Sequence, residues 1–151
     1  MADRLKIGKE YQDPFIRDGI DEHDVLFLKS KGERVDVFMF LLALGVKKGI
    51  RTPSKTSLGF VLEATAMGSD ASMSYIYAVA ISELRKTNQE NMIDNKEIVY
   101  KIAEEYVNTG FLELQELVPD FADFDEDTFA YQLIDMLDDE YDTIISKTKN
   151  T

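Results

Sequence analysis

The stretch ERVDVFMFLLALGVKKGIRTP, residues 33–53, contains the densest apolar block in the chain. Between Val35 and Val46 one aspartate and one glycine are the only interruptions, so apolar side chains would surround nearly the whole circumference of a helix. Two lysines and a glycine follow this block, and a proline comes four residues after that glycine, which is the usual order at the end of a helix. The stretch therefore predicts a buried central helix over about residues 33–48.

The segments that flank this helix are less regular. Residues 1–22 mix charged residues, scattered apolar residues and turn signals, and we expect an irregular N-terminal arm there. After the central helix, IRTPSKTS at 50–57 predicts a polar connector. The run LGFVLEATAM at 58–67 fits a short strand or a helical turn, because periodicity cannot distinguish the two over so few residues.

Helical periodicity recurs along the rest of the chain, and it predicts helices over about 21–30, 71–86, 95–108, 111–118 and 126–145. Gly110 is expected to end the fourth of the six predicted helices as a C-terminal cap. The polar residues 146–151 are expected to form a flexible tail. Five to six helices with short connectors predict an all-α fold, in which residues 1–151 form a single compact domain around the central helix.

The last predicted helix has two faces of different character. An apolar stripe is expected to face the core, and its members are Phe129, Leu133, Met136, Leu137 and Ile144. Four carboxylates at i, i+3, i+4 and i+7, which we call the acidic row, share another face: Asp135, Asp138, Asp139 and Asp142. Three interpretations of the acidic row are open: a solvated face that keeps the protein in solution, a surface for a basic partner protein, or a mimic of the phosphate array of DNA.

A second charged feature lies at the end of the central helix. We call it the basic cluster, and its members are Lys47, Lys48, Arg51 and Lys55. Together with the neighbouring hydroxyls these cations can hold a phosphate or a partner's carboxylates, whereas the simpler alternative is helix capping followed by an ordinary polar loop. The acidic row of one copy can also meet the basic first third of another, so the sequence allows a homo-oligomer.

The composition restricts the compartment and the class of partner. The 151 residues contain no cysteine, the first residues have no apolar signal segment, and the longest apolar run is about half of what a bilayer requires. We therefore expect a cytoplasmic protein with no membrane segment. The net charge of −12 repels phosphate backbones on average, so direct binding to nucleic acid is not expected.

Sequence patterns that carry catalysis are missing from the chain. His23 is the only histidine, and neither a phosphate-binding loop nor a Gly-x-Ser-x-Gly motif is present. We therefore expect a protein that is not an enzyme, with no catalytic, cofactor-binding or metal-binding residues. An enzyme with a carboxylate-held metal is the alternative, and it would require carboxylates that converge from different helices.

Two segments resemble a known family. They are FMFLLALGVKKGIRTP at 38–53 and KIAEEYVNTGFLELQELV at 101–118. They are similar to small bacterial proteins associated with DNA phosphorothioation (Dnd-type) gene clusters. In that family a buried FAAALG helix runs into a basic stretch with a proline, and an EEYANGG segment follows about fifty residues later. The matching residues are Ala43, Leu44, Gly45, Lys47, Lys48, Pro53, Glu104, Glu105, Tyr106 and Asn108, whereas Val107 and Thr109 depart from the family pattern.

The resemblance implies a setting near DNA-modification or phage-defence systems, and it implies no reaction and no catalytic residues. Together with the composition, it leads us to expect a non-enzymatic accessory protein that acts through contacts with a partner protein. The acidic row and the basic cluster are the candidate contact surfaces. The alternative is an acidic inhibitor that mimics nucleic acid and occupies the cleft of a DNA-binding protein.

Overall fold

The computed structural model describes residues 4–10, 34–62, 70–117 and 126–149. These residues form two strands, four α-helices and a 3₁₀ turn at Glu90–Asp94; the strands and helices are β1 (Arg4–Gly8), α1 (Arg34–Lys48), β2 (Ser57–Leu62), α2 (Asp70–Lys86), α3 (Lys96–Leu117) and α4 (Glu126–Lys149). The chain is mostly helical, which confirms the all-α prediction, and it forms one compact domain. The helix predicted over 21–30 lies outside the described residues.

The central helix α1 lies where the sequence predicted it, and it provides the middle of the core. Its side chains Phe38, Leu41 and Leu42 are completely buried. The helix that packs most extensively against α1 is α3. It contributes half of the other buried apolar side chains among the described residues: Val99, Tyr100, Ile102, Ala103, Tyr106, Val107, Phe111 and Leu114. Burial of so many apolar side chains between two helices is the main source of stability in a domain of this size.

Helices α1 and α3 approach each other at two glycines. A Cβ atom on Gly45 of α1 would lie 1.8 Å from the carbonyl oxygen of Tyr106, and a Cβ on Gly110 of α3 would lie 2.0 Å from the carbonyl oxygen of Leu41. Each helix therefore presents a glycine to the backbone of the other, and the crossing depends on both.

The prediction that Gly110 ends a helix is wrong. The predicted helices 95–108 and 111–118 are one continuous helix, α3, and Gly110 is buried in its interior. A glycine inside a helix costs stability relative to alanine, so local propensity favoured a break there. The contact with α1 explains the glycine instead, since no side chain fits beside the Leu41 carbonyl group.

Within the predicted irregular arm, residues 4–8 form a strand. Strand β1 pairs antiparallel with β2, and the register runs from Arg4 opposite Leu62 to Gly8 opposite Ser57, with one irregularity after Leu5. The described part of the run at 58–67 is therefore a strand. This pairing joins segments about fifty residues apart, which local periodicity does not report. The rest of the predicted arm lies outside the described residues.

Two polar side chains of α3 attach the connector and β1 to the helix pair. The buried Asn108 accepts a hydrogen bond from the Gly8 N–H at 2.9 Å through Oδ1, and its Nδ2 donates to the Thr52 carbonyl at 2.8 Å. The next residue, Thr109, donates from Oγ1 to the Ile50 carbonyl at 2.6 Å. The connector is therefore held in place by α3, although the sequence suggested only a polar loop.

Glu104, one turn before Asn108 on α3, is a partly buried residue beside β1. Burial raises its pKa from the ordinary value of 4.5 to about 7, although its carboxylate accepts a hydrogen bond from the Lys6 backbone N–H. Because the pKa is raised on folding, protonated Glu104 favours the folded state below about pH 4.5, and this contribution is lost as the pH rises through about 7.

We therefore expect Glu104→Gln to stabilise the protein increasingly as the pH rises. Relative to the unchanged chain, its free energy of unfolding should gain on the order of 2 kcal/mol between about pH 5.5 and about pH 8, because glutamine accepts the same hydrogen bond without ionising. Urea denaturation at the two pH values measures this gain. The exposed Glu97→Gln, on the same helix, is the control, and an equal effect of Glu104→Gln at both pH values would contradict the prediction.

Candidate functional site

The acidic row lies on the surface of α4, the last helix. All four aspartates of the row are exposed. They occupy two turns of the helix, a length of about 10 Å at the usual rise per residue. Nothing in this arrangement distinguishes a solvated face from a binding face, so the neighbouring side chains decide between these interpretations.

The basic cluster is largely occupied by contacts within the chain. Lys48 forms an ion pair with Glu113 of α3 at 3.3 Å, and Arg51 lies 3.8 Å from the Glu83 carboxylate of α2. Glu83 also accepts a hydrogen bond from the Tyr106 hydroxyl at 2.5 Å. Burial alone would raise the pKa of Glu83, but the Tyr106 hydroxyl and the nearby cations lower it. These contacts tie the end of α1 and the connector to α2 and α3, which is a structural role for Lys48 and Arg51.

The two predicted charged features meet at one groove. An open groove of about 380 Å³ lies between α4 and the ends of α1 and α3, and its lining consists of Lys47, Glu116, Gln132, Asp135, Met136, Asp139 and Thr143. The structure thus brings one member of the basic cluster beside two members of the acidic row. The groove lining includes neither Asp138 nor Asp142, and the exposed Lys55 is also not part of it.

The structure also places a row of apolar side chains on the outside of α4. Five large side chains are more than half exposed: Tyr131 (70%), Ile134 (52%), Leu137 (57%), Tyr141 (63%) and Ile144 (53%). The helix therefore presents the acidic row and an apolar surface to solvent together. We call the four residues Ile134, Leu137, Tyr141 and Ile144 the apolar seam.

The prediction that the apolar stripe of the last helix faces the core is wrong for Leu137 and Ile144. Of the stripe members whose side chains are described, Met136 alone is partly buried against the core. Apolar residues occur on more than one face of α4. Periodicity identifies each apolar face, but it does not show which face packs against another helix. The spacing of the apolar seam, 3, 4 and 3 residues, was the signal in the sequence that could have revealed a second apolar face.

The helix α4 also extends beyond its predicted end. It continues to Lys149, so the predicted flexible tail is helical over residues 146–149. The exposed Lys147 lies in this last turn, where a cation interacts favourably with the helix dipole and stabilises the helix. The surface of α4 is therefore longer by one turn than the sequence indicated.

The described ranges also bear on metal binding and on membrane insertion. Within them, no three histidine or acidic side chains lie close enough together to hold a metal ion. Among the helices that the structure describes, none has the length and apolar character needed to cross a membrane. His23 lies outside the described residues.

Comparison of the chain with protein-family models, curated proteins and solved structures finds no match. The resemblance to proteins of Dnd-type gene clusters therefore stays a prediction. The candidate surface is defined by the residues of this chain alone, and α4 is the element that carries it.

Proposed function

We propose that this protein is a non-enzymatic accessory protein that binds a basic partner protein through the outer surface of α4. The observation that carries the proposal is the exposure of the acidic row and the apolar seam on the same helix. Each feature alone has an ordinary explanation, but their combination on one surface matches the composition of a binding interface.

The apolar seam argues against a role in solubility alone. A helix face that only keeps a protein in solution carries polar side chains, whereas α4 exposes four large apolar residues within three turns. These side chains are already about half covered, so complete burial by a partner would contribute on the order of 1 kcal/mol for each. The surface is therefore best explained by binding.

The acidic row determines the charge of the partner. Carboxylates at the border of an apolar patch steer a basic partner into contact and repel acidic proteins. With a net charge of −12, the whole chain adds to the same field. A basic protein that acts on DNA fits this description, and the resemblance to proteins of Dnd-type gene clusters supports a DNA-modification or phage-defence setting.

The proposal is tested by neutralising the acidic row. The variant with Asp135, Asp138, Asp139 and Asp142 all changed to Asn is compared with the intact chain in a pull-down from a bacterial lysate. We expect the captured partner to bind the variant at least tenfold more weakly, because four interface charges are lost, and to dissociate from the intact chain as the salt concentration rises.

The matched control removes the same number of charges elsewhere. It carries Glu→Gln or Asp→Asn changes at four exposed positions: Glu10, Glu90, Asp94 and Glu97. Both variants have a net charge four units less negative, so a partner that depends on overall charge responds equally to both. Equal capture by the intact chain and the acidic-row variant would overturn the proposal.

The rival function, mimicry of nucleic acid, makes a different prediction in the same experiment. A mimic acts through its carboxylates, so a DNA-binding protein would be captured and then released by added DNA. The apolar seam has no counterpart on the phosphate backbone of DNA. We therefore place mimicry second, and competition by duplex DNA distinguishes it.

A further inference from the structure

The apolar seam of α4 has the spacing of a coiled-coil contact. Ile134, Leu137, Tyr141 and Ile144 follow one another at intervals of 3, 4 and 3 residues, which are the a and d positions of two consecutive heptads. All four are more than half exposed. A surface of this shape accepts the apolar edge of another helix better than a flat or irregular surface does.

Acidic residues border this seam, with Asp138 at an e position and Glu140 at a g position. Asp135 and Asp142 follow Asp138 around the helix. All three are exposed. A helix that lies along the seam therefore has carboxylates beside it, and lysine or arginine at its own flanking positions would pair with them.

The same charges argue against a second copy of α4 as the occupant. Two copies that pack seam to seam would bring their aspartates together, and like charges across such a contact are unfavourable. The basic cluster of another copy is also a poor occupant, since Lys48 and Arg51 already pair with Glu113 and Glu83. Charge complementarity therefore favours a different, basic helix.

We infer that the apolar seam and Asp138 form a docking site for a basic amphipathic helix of the partner protein, with apolar residues at heptad spacing and Lys or Arg beside them. This inference rests on the proposed function and adds the partner's secondary structure and its pattern of residues. The seam supplies the contact area, and the aspartates select the charge of the incoming helix.

The test uses a labelled synthetic peptide and the full chain. The peptide has Ile or Leu at a and d over three heptads and Lys at e and g; one comparison peptide replaces these lysines with Glu, and another keeps the composition but scrambles the order. Fluorescence anisotropy measures binding. We expect the basic seam peptide to bind at least tenfold more tightly than either comparison peptide, because only it matches both the spacing and the charge.

A pair of variants locates the site on the protein. Ile134→Ser with Leu137→Ser should weaken binding of the basic peptide at least tenfold. The control, Ile50→Ser with Leu112→Ser, makes the same two chemical changes at side chains that are 56% and 39% exposed and lie off α4, and it should leave binding unchanged. Because all four side chains are exposed, both variants should fold, and circular dichroism verifies this.

Three results would overturn the inference. One is that the seam variant and its control variant bind the basic peptide equally tightly. Another is that the intact chain binds the scrambled peptide as tightly as the basic peptide. The third is a dimer in sedimentation that Ile134→Ser with Leu137→Ser converts to a monomer, since a second copy would then cover the seam. If the peptide test fails but neutralising the acidic row still weakens partner capture in the pull-down, only the docking site is wrong and the proposed function stands. If neutralising the acidic row does not weaken partner capture, the proposed function itself is wrong.

Discussion

Replacing Gly45 with alanine should destabilise the protein by roughly 3 kcal/mol or more, enough to unfold a marginally stable domain. The new Cβ atom would lie 1.8 Å from the carbonyl oxygen and 2.6 Å from the carbonyl carbon of Tyr106. Both are backbone atoms of α3, so no side-chain rotation relieves the contact, and the two helices must separate. Separation would open the core that Phe38 and Leu41 fill from α1.

The sign of this effect is the informative part. At a helical glycine without neighbours, alanine stabilises by about 0.5–1 kcal/mol because it reduces the conformational freedom of the unfolded chain. Gly110→Ala should behave like Gly45→Ala, since its Cβ would meet the carbonyl group of Leu41. Urea denaturation followed by circular dichroism measures the free energy of unfolding of each variant.

Gly49→Ala is the control for the glycine contacts. A Cβ on Gly49 meets nothing within 4 Å, but its φ of +78° is unfavourable for alanine. Only the backbone conformation is affected, and we expect a loss of about 1 kcal/mol. If Gly45→Ala and Gly49→Ala lost equal stability, the close approach of α1 and α3 would not be the reason for Gly45.

Asn108→Ala should cost roughly 2–4 kcal/mol and should free β1 and the connector from α3 together. The change removes the acceptor of the Gly8 N–H and the donor to the Thr52 carbonyl, and it leaves both backbone groups without these partners. An unsatisfied buried backbone group costs about 1–3 kcal/mol. Amide hydrogen exchange should show that the Gly8 amide loses protection. Urea denaturation measures the total loss in the free energy of unfolding.

A second asparagine provides the control for Asn108. The side chain of Asn95 caps the start of α3 by accepting hydrogen bonds from the N–H groups of Glu97 and Ile98, and it is exposed. Asn95→Ala should cost about 1 kcal/mol and leave the exchange of the Gly8 amide unchanged. Loss of protection at Gly8 in both variants would show global destabilisation and not a local attachment.

Three of the residues that carry the resemblance to proteins of Dnd-type gene clusters take part in these contacts: Gly45, Tyr106 and Asn108. Gly45 lies against Tyr106, and Asn108 binds the connector at Thr52, so residues of the first segment contact residues of the second. Both segments therefore act in the crossing of α1 and α3 and in the placement of the connector. The surface that we propose for binding lies on α4, outside both segments.

The helical class, the position of α1 and the carboxylates on one face of α4 could all be predicted from local sequence patterns. These features depend on residues three or four apart, and such neighbours set the faces of a helix whatever packs against it. The predicted bounds of about 33–48 for α1 differ by one residue from the observed Arg34–Lys48. The acidic row was visible for the same reason.

The role of Gly110, the pairing of β1 with β2 and the exposure of the apolar seam could not be predicted in this way and became evident from the packed structure. Each depends on residues distant in sequence: Gly110 on Leu41, Gly8 on Ser57, and the surroundings of α4 on the ends of α1 and α3. A local sequence pattern is compatible with several roles for a glycine or an apolar helix face. Which role is realised depends on the free energy of contacts that form only when the whole chain is packed.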